Sequence, residues 1–194
     1  MATPPDFSVG QVLTAAQMNA VGLWRVTSCT ATFTGGTGGS VSDGVVTIGT
    51  NNTAITVSSA FSADFDNYRI ILSNATASAG DNSIFFRPGG DATANYSTNG
   101  FYLQYTGATG SPNESNVTNG VAVGITSTTA TSVAFDVFNP QKATWTFVTG
   151  GNAGSGFMAF YAGVHKVSTA YTSFVIRLAT ANFTGGTIKV YGYN

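Results

Sequence analysis

Charged side chains are scarce in this sequence, and their scarcity limits what the protein can do. Asp, Glu, Lys and Arg make up 8% of its 194 residues, against roughly 25% in an average soluble domain. The net charge of −1 gives no positive field to attract phosphate backbones, so we expect no nucleic-acid partner. The sequence has no run of about 18 apolar residues, so we also expect no membrane insertion.

Side chains that catalyse reactions or hold metals are equally few. The chain has one His and one Cys, and Glu114 is its single Glu. His165 could be a base or a metal ligand, but ligand partners at local spacing are missing, which favours a hydrogen-bonded packing residue. Cys29 is expected to be a buried small hydrophobe. We therefore predict no catalytic residue, no metal and no cofactor, and a protein that is not an enzyme.

Two local clusters allow a functional interpretation beside a structural one. The sequence DFDN at residues 64–67 offers carboxylates for calcium, but it lacks the glycine and distal Glu of a hand-type loop, so turn capping is favoured. Several aromatic side chains could line a sugar-binding groove. Most of them sit in strand-like runs, which favours core packing; they are Phe85, Phe86, Tyr96, Tyr102, Tyr105 and Tyr161.

From Val26 onward, short alternating or apolar runs are separated by Gly, Asn, Asp and Ser, which predicts an all-β sandwich or barrel. The predicted strands are residues 44–49, 54–58, 68–73, 83–87, 101–105, 121–126, 132–138, 143–149, 157–164, 173–179 and 186–193. Paired glycines at 35–36, 38–39, 89–90, 150–151 and 185–186 predict turns.

The alternation also predicts which strands have a polar side. Residues 143–147 and 174–178 alternate, so we expect their apolar side chains to pack and the others to face water. Residues 68–72 and 83–87 are apolar on both sides, which favours burial on two faces or against a neighbouring subunit.

Two segments are candidates for contacts with other molecules. Residues 1–25 hold one short helix-forming run after Thr14, with apolar side chains that need a partner surface. We predict that they anchor the following domain, residues 26–194, through Leu13, Met18, Val21, Leu23 and Trp24. Residues 106–120 are polar and aperiodic, which predicts an exposed loop; its candidate host-contact residues are Asn113, Glu114 and Asn116.

Both ends of the chain are similar to known proteins. FSVGQVLTAAQMNAVGLW, at residues 7–24, resembles the N-terminal segment of structural proteins of tailed bacteriophages. Residues 170–193, which end in GGTIKVYGY, resemble the C-terminal strands of a phage virion domain, and FDNYRI at 65–70 and FR at 86–87 fall in corresponding places. The resemblance implies a non-enzymatic, jelly-roll-like antiparallel β-sandwich that assembles as a homotrimer.

The resemblance further implies a virion location, with assembly in the host cytoplasm and exposure on the particle. The expected function is a surface fibre or receptor-binding subunit, which contacts other virion proteins through its N-terminal segment and a host glycan or protein through its loops. Because the chain has no long shaft, a capsid decoration protein is the alternative. A free carbohydrate-binding module and a capsule-cleaving depolymerase are further alternatives.

Overall fold

The computed structural model describes residues 22–154 and 156–194, which form sixteen β-strands and no helix. The strands are β1 (Trp24–Arg25), β2 (Thr30–Thr34), β3 (Thr37–Ser42), β4 (Val45–Thr50), β5 (Ala54–Ser58), β6 (Asn67–Ala77), β7 (Asn82–Pro88), β8 (Tyr96–Gln104), β9 (Thr109–Gly110), β10 (Asn113–Val117), β11 (Val121–Thr126), β12 (Thr131–Phe138), β13 (Thr146–Ala153), β14 (Phe157–His165), β15 (Phe174–Leu178) and β16 (Phe183–Tyr193). The predicted helical run of residues 15–20 lies outside the described residues.

The strands form two antiparallel sheets that pack face to face. The large sheet has the order β10-β8-β14-β13-β12-β6-β16-β4-β3, with β1 paired to β16 and β9 paired to β8. The small sheet has the order β11-β7-β15-β5-β2. From β4 to β8, successive strands alternate between the two sheets. This arrangement confirms the predicted antiparallel, jelly-roll-like sandwich.

The core lies between the sheets and is built from alternate residues of their strands. Tyr68, Ile70 and Leu72 of β6 are buried in it. Phe86 lies at its centre, with its ring 5.5 Å from the rings of both Phe135 and Phe174. The predicted burial of Cys29 is confirmed, as is the core position predicted for four of the six aromatics: Phe85, Phe86, Tyr96 and Tyr161.

The large sheet also wraps around one edge of the small sheet. Phe86 packs in the main core, whereas Phe85 packs on the opposite side with Ala122, Ala159 and Tyr161. Strand β7 is therefore buried on both faces, which confirms the interpretation of residues 83–87. Since β8 and β14 supply this second layer, their other side is left as part of the outer surface of the molecule.

Three glycine pairs that were predicted to be turns lie inside strands, and one of them, Gly185 and Gly186, belongs to β16. Gly38 and Gly39 belong to β3, and Gly150 and Gly151 belong to β13. The turn prediction is wrong for all three pairs. At Gly150 the reason is close packing, since an added Cβ would lie 2.3 Å from the Cβ of Phe135. The turn predicted at 89–90 is confirmed, because both glycines have positive φ between two strands.

The predicted orientation of residues 143–147 is also wrong. Thr146 and Val148 of β13 point into the core. Phe147 on the same strand and Trp145 just before it are 49% and 47% exposed. A two-residue period distinguishes two faces of a strand but does not say which face is covered. For residues 174–178 the prediction is confirmed, with Phe174, Ile176 and Leu178 buried.

Candidate functional site

The solvent-facing side of β8, β14, β13, β12 and β6 is unusually apolar, and we call it the apolar face. The strand register puts Phe101, Phe160, Gly151, Ala134 and Ile71 in one row across these five strands. Phe101 is 53% exposed and Phe160 is 49% exposed. The row therefore presents two large aromatic rings, and then small and aliphatic side chains, to the outside.

The adjacent row on one side extends this surface directly. Leu103, Met158 and Ala153 are paired in the row on one side. Further along the strands, beyond an intervening row, Val164 is paired with Phe147, which is paired with Phe138. The intervening row is mainly polar, and it contains Asn99, Thr149, Asp136 and Arg69.

The two exposed phenylalanines form a ridge beside a hollow. Their rings stack with centroids 5.4 Å apart and planes at 30°. A Cβ added at Gly151 would lie 3.0 Å from Cδ1 of Phe160, so the glycine lets that ring lie close to the sheet. Beyond the ring is an open hollow of about 430 Å³, lined by Ile71, Ala134, Gly151, Ala153, Met158 and Phe160 among others.

A second open groove borders the same ridge. It has a volume of about 540 Å³, and Phe101 and Phe160 contribute aromatic surface to its lining. Asn99, Ser111 and Thr149 add amide and hydroxyl groups to the lining. No charged side chain is among the residues that line it, so the groove suits a neutral ligand better than an ionic one.

The charges on the apolar face largely neutralise each other. Arg69 donates two hydrogen bonds to the carboxylate of Asp136, at 3.0 Å and 2.7 Å. The hydroxyl of Tyr193 donates a third at 3.2 Å. Burial and the Asp136 carboxylate raise the pKa of Tyr193 to about 12, so the phenol stays protonated. Covering this face would not leave Asp136 unpaired.

The single histidine is a packing residue, as predicted. His165 is wholly buried, and its Nε2 lies 2.8 Å from Oδ2 of Asp91. Its ring stacks on Tyr96 with centroids 4.4 Å apart. Burial lowers the pKa of His165, although the hydrogen bond to Asp91 acts in the opposite direction. Its Nδ1 has no hydrogen-bond partner, which fits a neutral ring that donates from Nε2.

The carboxylates of the predicted turn at residues 64–67 make local contacts. Oγ of Ser62 donates to Asp64 at 2.9 Å, and the ammonium of Lys142 lies 2.9 Å from Asp66. Across residues 22–154 and 156–194, no group of three or more His, Cys, Asp or Glu side chains comes together. The same part of the chain has no helix long and apolar enough to span a bilayer.

Two of the five predicted anchor residues, Leu23 and Trp24, belong to the described part of the chain. Leu13, Met18 and Val21 lie outside the described residues. Leu23 is exposed, whereas Trp24 is half-buried and packs against the main core. Trp24 and Arg25 also pair with Gly192 and Tyr191 of β16. The chain therefore joins the large sheet already at residue 24.

The predicted host-contact residues lie on a strand rather than in an irregular loop. Asn113, Glu114 and Asn116 belong to β10, which pairs with β8 at the edge of the large sheet. The loop prediction is wrong here because β10 is a polar edge strand, which has no need of apolar alternation. Asn113 and Asn116 are exposed, and Glu114 is half-buried. Asn116 accepts a 2.6 Å hydrogen bond from Lys166.

Sequence reasoning missed the residues that distinguish this surface: Phe101, Trp145, Phe147 and Phe160. The runs that contain them were predicted as strands, but Trp145 and Phe147 were expected to pack inside, and Phe101 and Phe160 were given no role. The low charge of the whole chain is the one sequence signal that points to an outer surface of this kind.

Comparison with known proteins does not identify a function for this surface, since no family model and no curated protein matches the chain.

Proposed function

We propose that this chain is a structural subunit of a tailed-bacteriophage particle, displayed on its surface as a fibre or receptor-binding component. In this proposal the protein assembles as a homotrimer in the host cytoplasm and attaches to other virion proteins through residues 1–25. The observation that supports it best is the apolar face, which carries exposed Phe101, Phe147 and Phe160. The resemblance of both chain ends to phage structural proteins supports the location.

The apolar face favours an assembled protein over a free monomer. Soluble monomers rarely expose contiguous apolar patches of more than a few hundred Å². Here the row from Phe101 to Ile71 crosses five neighbouring strands, and Leu103, Met158 and Ala153 extend it along three of them. Such a surface is stable in water when another molecule covers it, which is the normal state of a subunit in a particle.

The buried polar chemistry favours a structural role over a catalytic one. His165 is stacked on Tyr96 and bonded to Asp91 inside the protein. Cys29 is buried, and burial raises the pKa of its thiol, so it stays protonated at neutral pH. Neither group has the exposure that a general base or a nucleophile needs.

Deleting residues 2–21 from the protein in the phage tests the anchor. We expect virions without this protein, while the purified variant keeps the thermal melting temperature of the wild-type sandwich, because the described strands begin only at Trp24. The double variant N113A/N116A is the control, and it should be incorporated normally. Normal incorporation of the deletion variant would contradict the proposed anchor.

The position of the protein in an averaged electron-microscopy map of the virion separates the two particle roles. Density at the tail supports a receptor-binding subunit, and the exposed β10 edge with Asn113 and Asn116 would then be the first place to examine for host contact. Density at three-fold points of the capsid supports the decoration protein instead. Absence from the particle would contradict both.

The groove beside Phe101 and Phe160 supports a second candidate function, that of a carbohydrate-binding module. Aromatic surface can pack against the C–H groups of a sugar, and the side chains of Asn99, Ser111 and Thr149 can exchange hydrogen bonds with its hydroxyls. A glycan array probed with the wild type, with N99A/T149A and with the control N113A tests it. Binding by the wild type and N113A but not by N99A/T149A would support this function, and silence of the wild type across neutral glycans would contradict it.

A further inference from the structure

From the geometry of the outer surface we infer that the apolar face is the contact between copies of this chain. This inference rests on the proposed self-assembly and names the surface that performs it. The occupant of the face is a second copy, whose own apolar face packs against it. Four properties of the described residues favour a second copy over solvent or an ionic ligand.

The first property is the choice of face. The outer side of the small sheet carries Thr32, Thr56 and Val175 in one row across β2, β5 and β15, and it also bears Arg87 and Arg177. The outer side of the large sheet carries the exposed phenylalanines instead. The sandwich thus has one polar outer side that is well solvated and one apolar outer side that is stabilised when a partner buries it.

The second property is shape. The ridge formed by Phe101 and Phe160 lies directly beside the hollow over Gly151 and Ala134. A surface that bears a ridge and a hollow side by side can pack in a closed three-fold ring, where the ridge of each copy enters the hollow of the next copy. Aromatic residues that fill such hollows typically dominate the binding energy of an interface.

The third property is electrostatics. Arg69 and Asp136 are already paired on the face, and Tyr193 completes the hydrogen bonding of the carboxylate. Lys189, next to Ile71 in the register, makes no ion pair with any residue of the described chain. Apart from Lys189 at the border of the face, the charges that the described strands place there are paired, so identical copies meet with little like-charge repulsion.

The fourth property is size. Five strands about 4.8 Å apart, each with four outward positions about 6.7 Å apart, cover roughly 640 Å² in projection. The accessible area of protruding side chains exceeds their projection. The face therefore comes close to the roughly 800 Å² that each partner contributes to a standard stable interface.

Sedimentation velocity of the full-length chain and its variants tests the inference. We expect the wild type to be an oligomer at micromolar concentration. Phe160→Glu should weaken association by at least about 30-fold, because a hot-spot side chain is replaced by a charge that would be buried. Ala134→Glu places a charge in the hollow and should have the same effect. Val175→Glu makes the matched change on the small sheet and should leave the oligomer intact.

Far-UV circular dichroism and the thermal melt establish that each variant is folded. If Phe160→Glu or Ala134→Glu fails to fold, the other variant still tests the contact. An oligomer that persists in both folded face variants would overturn this contact but leave the proposed self-assembly standing. A wild-type chain that is monomeric at micromolar concentration would overturn the contact and the homotrimer together. The anchor deletion in the phage tests the virion role separately from both.

Discussion

At the scale of single residues, His165 is the group through which pH should affect stability. It is the only histidine in the chain, it is wholly buried, and burial lowers its pKa below the ordinary value. Its immediate surroundings are Asp91, Tyr96 and Tyr171. Burial acts to raise the pKa of Asp91, but hydrogen bonds from Thr93 and His165 prevail and lower it, so Asp91 stays ionised through the range in which His165 titrates.

The sign of the effect follows from the direction of the His165 shift. Between its folded-state pKa and the unfolded value of about 6.5, the unfolded chain binds the extra proton and the folded chain does not. The free energy of unfolding should therefore fall as the pH drops below about 6.5, by at most about 1.4 kcal/mol per pH unit. Below the folded-state pKa, this loss from His165 stops.

Urea unfolding of the wild type and of His165→Gln at pH 7.5, 6.5 and 5.5 measures this slope. Glutamine keeps an N–H donor for Asp91 but does not titrate, so the variant should lose most of the pH dependence in this range. Equal slopes for the two proteins would show that another group is responsible. Asn99→Ala, which changes an exposed side chain without a hydrogen bond in the structure, should keep the wild-type slope.

At the scale of secondary structure elements, β11 is an edge strand whose free backbone groups are satisfied by side chains of the other sheet. Asn152 on β13 donates from Nδ2 to the carbonyl of Ile125 at 3.0 Å, and its Oδ1 accepts from the N–H of Ile125 at 3.2 Å. The hydroxyl of Thr98 accepts from the N–H of Ala122 at 3.1 Å. The Asn152 amide thus bonds like a backbone peptide group at this edge and closes it to pairing with other chains.

Asn152→Ala should destabilise the protein by about 2 kcal/mol, because it leaves the N–H and carbonyl of Ile125 without partners in a part-buried site. Denaturant unfolding monitored by tryptophan fluorescence measures the change. The exposed amide of Asn113 provides the matched control, since Asn113→Ala should cost less than about 0.5 kcal/mol. A similar small cost for both variants would mean that water satisfies the Ile125 groups in the absence of Asn152.

Elements with apolar alternation could be predicted from the sequence, and polar ones could not. The bounds of β5 and β11 match the predicted residues 54–58 and 121–126, since apolar residues flanked by turn residues define them. Strands β2, β3 and β10 were missed because Thr, Gly, Ser and Asn dominate them. They are recognisable only from their pairing with β5, β4 and β8, which is a property of the folded chain.

At the scale of the whole molecule, the sequence predicts a sandwich but not which side of each strand is buried. The aromatic residues around Phe147 fit a core as well as a surface, and only the packing of Val148 against the other sheet decides between them. The apolar face cannot be recognised from the sequence either, because its rows combine residues from five strands that are distant in sequence. A candidate site of this kind emerges only when the register between strands is known.

The composition of the apolar face also predicts how assembly depends on salt. Its main ion pair, Arg69 with Asp136, lies within one copy and is not formed by association, so screening should weaken the contact little. We expect the dissociation constant of the oligomer to change less than about three-fold between 50 mM and 500 mM NaCl. Sodium sulfate should lower the dissociation constant, because it strengthens the burial of apolar surface. Sedimentation velocity across both salt series measures this. A dissociation constant that rises steeply with NaCl would instead mean that charge pairs between copies, such as one made by Lys189, hold the assembly together.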